Sequence, residues 1–311
     1  MRIAVLAGGV GGARFVQALT EVVEPRDVTV IANVGDDLEV HGLHVAPDLD
    51  TLLYTLAGLG DAERGWGRAG ETWNAHATVG LLGGETWFQL GDRDLGLHLV
   101  RTDALRAGEP LSRVTARIAR AVGLEVRLLP ATDDRLRTRI RTPAGEFEFQ
   151  EWFVERGHRD RVDEVVYEGA AAASPGPGVL EALAEAELIA IAPSNPFVSI
   201  GPILAIAEVR AAVERRRDRV VAVSPLIGGR AVKGPADAMF GTLANGTGAG
   251  QVADCYMGLI GALVFDEADA DDAEAVAQRG VRPLVTRTLM SEPEARQALV
   301  ESVLGIVPAA S

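Results

Sequence analysis

The residue types that handle phosphate esters and divalent cations are concentrated in five stretches of this chain. The first, GGVGGAR (8–14), follows an apolar run and precedes a segment of helical period. Glycines at such a junction let backbone amides approach an anion at a helix N-terminus. Gly11, Gly12 and Arg14 are read as phosphate contacts on that ground, a tight turn between strand and helix being the plain alternative. The stretch is not a P-loop, since no Gly-Lys-Ser/Thr follows. It fits a dinucleotide fingerprint poorly, because Arg14 stands where the third glycine belongs.

Carboxylates supply the next two stretches. NVGDD (33–37) carries Asp36 and Asp37, and HGLHVAPDLDT (41–51) carries Asp48 and Asp50. Taken singly, each reads as a turn or a helix cap. Carboxylates from separate loops, converging near bound phosphates, are also what a Mg²⁺ site needs. His41 and His44 lack a matching soft ligand and read as structural or surface groups. In WFQLGDRDLGLHLVRT (87–102), Asp92, Arg93 and Asp94 form a charged knot that a salt-bridged turn would also explain, with His98 and Arg101 following on a helix face. In APSNPFVSIGPIL (192–204), Ser194, Asn195 and Ser199 are more polar groups than a structural loop requires, and they read as ligand contacts. SPLIGGRAVKGPA (224–236) adds Arg230 and Lys233 as phosphate partners.

These stretches need a scaffold, and the apolar pattern describes one. RIAVLAG (2–8), DVTVIANVGDD (27–37), ELIAIAPSNP (187–196), RVVAVSPLIGG (219–229), GALVFDE (261–267) and VRPLVT (281–286) read as strands. ARFVQALTEVV (13–23) and DTLLYTLAGL (50–59) read as helices, the second with Asp50 as N-cap. The expected fold class is α/β: a Rossmann-like, mostly parallel sheet with helices on both faces. TRIRTPAGEFEFQEWFVE (138–155) alternates around a turn, so residues 130–175 read as a small β-containing insertion in one catalytic domain spanning 1–311. The chain has 311 residues, 48% hydrophobic, with a net charge of −14. Such a charge argues against nucleic acid and anionic membranes as partners. No apolar run has transmembrane length, the N-terminus is too short and glycine-rich for a signal peptide, and the single Cys255 suits a reducing cytoplasm.

Taken together, LAGGVGGARF, NVGDD, PDLDTLLYTLAG, LGDRDLGLHLVRT, LLPATDD, FQEWFV, APSNPFVSIGPILA and VSPLIGG occur in order from residue 5 to about 240. The set resembles the 2-phospho-L-lactate transferase family of deazaflavin coenzyme F-420 biosynthesis, in its actinobacterial branch. The resemblance implies a Mg²⁺-dependent, cytoplasmic, homodimeric enzyme. It would move a phospho-lactyl or phospho-enolpyruvyl group from a guanosine diphosphate conjugate to the ribityl hydroxyl of 7,8-didemethyl-8-hydroxy-5-deazariboflavin (Fo), releasing GMP. Carried over by motif, Asp50 falls at the acceptor hydroxyl and the metal, with Asp36 as second metal ligand and catalytic partner. Gln89 falls at an Fo contact, Asn195 and its neighbours at the guanosine side, and Asp92 and Arg93 within the substrate site. Residues 241–311 carry no motif.

Two other classes compete. A non-catalytic nucleotide-sugar-binding regulator of related fold shares the opening glycine loop, but PDLDT and LGDRD speak against it. An NAD-type oxidoreductase is disfavoured by the absent third glycine and by NVGDD in place of a lone ribose-binding acid.

Overall fold

The structure is a computed structural model and describes residues 1–306. Seven strands form its main sheet: β1 (Ile3–Ala7), β2 (Val28–Ala32), β3 (Arg127–Pro130), β4 (Leu188–Ile191), β5 (Val220–Val223), β6 (Ala262–Asp266) and β7 (Arg282–Thr286). They lie in the order β7-β6-β5-β4-β1-β2-β3, and every pairing is parallel. β1, β4, β5 and β6 are buried at every position, as strands covered on both faces must be, which is why they read as unbroken apolar runs. Periodicity reveals six of the seven. β3 escapes it because four residues, opening on Arg127 and closing on Pro130, are too few to show a pattern.

β1 is the switch point. The chain leaves it for β2 on one side and returns to β4 on the other, and ligands in open α/β sheets bind where the order reverses. The register is Leu6↔Ile191 across one edge and Ala7↔Ala32 across the other. The loops beginning at Gly8, Asn33 and Ala192 therefore start side by side.

The connection from β2 to β3 holds a hairpin (Leu38–Val40 with Leu43–Val45) and then a run of helices. In chain order the helices that bear on the site are α1 (Gly9–Thr20), α2 (Pro47–Leu56), α3 (Asn74–Leu81) and α4 (Asp92–Arg106). Two helix starts differ from the sequence expectation. α1 begins at Gly9, so the glycines form its first turn rather than a loop before it. α2 begins at Pro47, whose fixed φ suits the first helical position, so Asp48 and Asp50 both lie in the first turn and Asp50 is not the N-cap.

Between β3 and β4, strand Arg137–Thr142 pairs with Gly145–Glu148 and Glu164–Glu168 in a small antiparallel sheet. The expected hairpin stops at Glu148, and Glu151–Glu155 is a wide helical turn that buries Trp152. Ile140, Phe149, Trp152, Val162, Val198 and Met239 form a separate core beneath it. No single helix among the described residues is long and apolar enough to cross a membrane.

Candidate active site

A cavity of about 740 Å³ opens at the carboxyl ends of β1, β4 and β5. Its size suits a ligand larger than one nucleotide or one ring system.

Asp48 is a carboxylate of its lining held from two other loops. The Gly9 amide donates to Asp48 Oδ1 at 2.8 Å, and Asn33 Nδ2 donates to Oδ2 at 2.9 Å and to the Val198 carbonyl at 3.1 Å. Three loops are thereby tied to one another. Gly8 must be glycine here, since a β-carbon would run into the Asp48 carboxylate. Burial is the main reason the Asp48 carboxyl is pushed up to about 6, against the lowering effect of those two bonds. Asp36 is also buried, and its Oδ1 has no hydrogen-bond partner. Burial, then the charges of Asp48 and Asp37, hold Asp36 well above the usual carboxylate range.

Asp50 belongs to a different cluster. Asp94, His98 and Arg101 recur at i, i+4 and i+7 on α4, facing Asp50 and Tyr54 at i and i+4 on α2. Arg101 Nη1 donates to Asp50 Oδ2 at 3.0 Å, and Nη2 donates to Oδ1. The Tyr54 hydroxyl donates to Asp94. His98 stands between the two acids, Nδ1 3.8 Å from Asp50 and Nε2 3.4 Å from Asp94. Burial opposes the charge on Arg101, and Asp50 more than offsets it. Burial would also raise Asp94, but His98, Tyr54 and Arg101 outweigh it and hold Asp94 below its usual range.

The remaining walls are aromatic and basic. Trp87, Phe88, Phe149 and Phe153 line the cavity, the last two stacked at 5.4 Å with planes 10° apart. Arg14 and Lys233 line it too, near Trp66. The unmotivated C-terminal region contributes Thr288 to Ser291.

Of the residues singled out from sequence, Gly11, Arg14, Asp36, Asp50, Gln89, Ser194, Asn195 and Ser199 line the cavity. Three do not. Gly12 lies under it, where a β-carbon would stand 2.7 Å from Ser194 Oγ, so its role is to let α1 pack closely on the loop after β4. Asp92 faces α3, accepting from Thr72 Oγ1 at 2.6 Å and from the Asn74 and Ala75 amides, and these bonds hold it well below its usual range. It caps α3 rather than facing a substrate. Arg93 lies beside it, over Gly70. Two of the lining residues are already engaged: Ser194 Oγ donates to the Gly8 carbonyl at 2.7 Å, and Asn195 Oδ1 accepts from the Phe197 amide at 2.9 Å. His44 meets Asp37 at 3.0 Å, a structural pairing as its type suggested. Gln150, which also lines the cavity, is the residue that sequence offers least sign of, because it sits inside an aromatic run.

The carboxylate that shares Asp36's field is Asp48, not Asp50, whose two oxygens face Arg101. Among the described residues no three His, Cys, Asp or Glu side chains converge as a metal cage. Two buried carboxylates, one with an oxygen lacking a partner, nonetheless fit Mg²⁺, which binds through one or two carboxylates with water and substrate phosphate completing its shell.

Comparison with known proteins adds a family. The family model described as 2-phospho-L-lactate transferase CofD matches residues 3–292. A phosphoenolpyruvate transferase of Kitasatospora aureofaciens is 43% identical over 313 residues, covering 98% of each chain. Those of Thermobifida fusca and Mycolicibacterium smegmatis are 42% and 38% identical, again over 98% of each chain. Among solved structures, a UPF0052-family protein of Bacillus halodurans is similar with a TM-score of 0.65, covering 97% of this chain and 98% of that one at 14% identity. That likeness concerns the fold alone.

Proposed function

The chain belongs to the 2-phospho-L-lactate transferase family, and on that premise we propose that it transfers a phospho-enolpyruvyl group from a guanosine diphosphate conjugate to Fo, releasing GMP, in coenzyme F-420 biosynthesis. The enolpyruvyl donor is preferred to the lactyl one because relatives covering the whole chain carry the name phosphoenolpyruvate transferase. The observation that carries the reading is that one cavity is lined both by buried carboxylates at the glycine-bearing end of α1 and by a stacked aromatic pair.

In this reaction the ribityl oxygen bonds to the phosphorus bearing the enolpyruvyl group. The bridging P–O bond breaks, and GMP leaves with the bridging oxygen. Little covalent work falls to the protein, which must position the groups and balance charge on the phosphate oxygens. Asp36 and Asp48 would hold Mg²⁺, which when bound neutralises that charge. Arg14 and the amides of the first turn of α1 face the diphosphate. The aromatic wall and Gln89 suit the flat deazaflavin. Arg101 orients the Asp50 carboxylate, whose Oδ2 also accepts from the Ala46 amide, and Oδ1 retains a lone pair for the acceptor hydroxyl. A cytoplasmic homodimer completes the reading, the dimer being open to light scattering.

The test is incubation of the purified chain with Fo, Mg²⁺ and each guanylated donor, with mass detection of product and GMP. Product from the enolpyruvyl donor is expected. Product from the lactyl donor alone would change the donor, and no product from either would overturn the reading.

A further inference from the structure

The 30 basic residues of the chain include one lysine, Lys233. It lies in the loop before helix Ala236–Leu243 and lines the cavity. Its ammonium donates to the Gly65 carbonyl at 3.0 Å, reaching a loop 168 residues away in sequence that also brings Trp66 into the lining. Arg14 comes to the same spot. A β-carbon on Gly65 would stand 3.1 Å from Lys233 Nζ and 3.9 Å from Arg14 Nη2.

Among the described residues, neither cation has a carboxylate within ion-pair distance. Two adjacent like charges repel, and partial burial together with Arg14 lowers the Lys233 pKa. An anion placed between them would relieve both effects. Arg14 also stands in the second turn of α1, and the partial positive charge of that helix's N-terminus adds to theirs. A planar fork and a three-donor point charge together suit two neighbouring phosphates better than a single carboxylate.

We propose that Arg14 and Lys233 form a clamp for the diphosphate of a nucleoside diphosphate ligand, with Lys233 exchanging the Gly65 carbonyl for a phosphate oxygen when the ligand binds. The proposal deepens the reading of the donor as a guanosine diphosphate conjugate and rests on it for the identity of the nucleoside.

A single lysine allows a direct test. Acetylation with an N-hydroxysuccinimide ester can reach only two amines, Lys233 and the N-terminus, and Met1 serves as internal control because its amine pairs with Asp27 at 3.0 Å at the opposite edge of the sheet. Peptide mass mapping is expected to find Lys233 acetylation slowed about fivefold or more by GDP and by inorganic pyrophosphate, with Met1 unaffected and Fo without effect on either. Lys233→Met and Arg14→Met are each expected to weaken GDP binding about tenfold or more by calorimetry, Lys233→Arg less, while optical titration finds Fo binding unchanged. Acetylation indifferent to GDP and pyrophosphate, or slowed equally by Fo, overturns the clamp, as does Lys233→Met binding GDP with parental affinity. Protection by GDP in a protein that transfers nothing would sink the transferase reading and leave the clamp standing. Transfer without protection would do the reverse.

Discussion

Arg101 on α4 grips both carboxylate oxygens of Asp50 on α2, and the two residues are only 2% and 5% exposed. The pair joins helices whose residues lie 51 positions apart, and it brings Asp50 to the cavity edge in one orientation. As a plain helix cap, Asp50 would tolerate Asn almost without loss. The ion pair changes that expectation.

Asp50→Asn leaves the Arg101 guanidinium buried without its counter-charge, which costs about 3–5 kcal/mol. Thermal melting is expected to fall by roughly 10 °C and transfer by about 100-fold or more. The double variant Asp50→Asn/Arg101→Met removes the unpaired charge, so melting should recover most of the loss while transfer does not. Recovery of transfer in the double variant would remove Asp50 from the chemistry.

Asp48 sets a pH dependence. Its carboxyl rises from an ordinary 3.8 to about 6 on folding. Below about pH 4 the folded and unfolded chains both hold the proton; above about 6 neither does. Between them only the folded chain holds it, so stability falls as pH rises through that window, by an amount on the order of 3 kcal/mol. Urea unfolding of metal-free protein from pH 4 to 7 measures this. Millimolar Mg²⁺ should flatten the slope, because a bound cation favours the ionised pair. A slope identical with and without Mg²⁺ would place the metal away from Asp36 and Asp48.

Gly11 tests the first turn of α1. A β-carbon there would stand 2.7 Å from the Pro193 carbonyl, a backbone group that cannot swing aside. Gly11→Ala is therefore expected to destabilise by about 1–3 kcal/mol and to weaken GDP and Fo binding together, since it shifts the loop that carries Ser194 and Asn195. Denaturant unfolding with paired titrations checks this. Loss of GDP binding alone, with full stability, would mean that the loop yields and only the phosphate contact suffers.

The aromatic wall makes a claim about the acceptor. Phe153→Ala removes one ring of the stacked pair from the cavity surface, and Fo binding should weaken about tenfold while GDP binding holds. Fo is coloured, so its titration can be followed optically. Unchanged affinity would move the deazaflavin ring to the Trp87 side.

The chain's local chemistry determined a good deal unaided. Unbroken apolar runs such as IAVLA and VVAV are legible because strands buried on both faces admit little else. Glycines after β1, acids after β2 and prolines with hydroxyls after β4 are legible because loops at the carboxyl edge of a parallel sheet carry the polar groups that core strands exclude. Which loop groups meet is another matter. Asp36 lies beside Asp48 rather than Asp50 because Pro47 starts α2 early and the register of β1 with β2 brings Asn33 onto Asp48. Asp92 turns to α3 instead of the cavity because the Asn74 and Ala75 amides at that helix start need an acceptor. Lys233 reaches Gly65, and Thr288 to Ser291 reach the cavity, only because β5, β6 and β7 stack outward from β4 and return their loops to one edge. Periodicity and composition are properties of neighbours along the chain, whereas these pairings depend on strand order, register and helix rotation, which arise only when the whole sheet has closed its core.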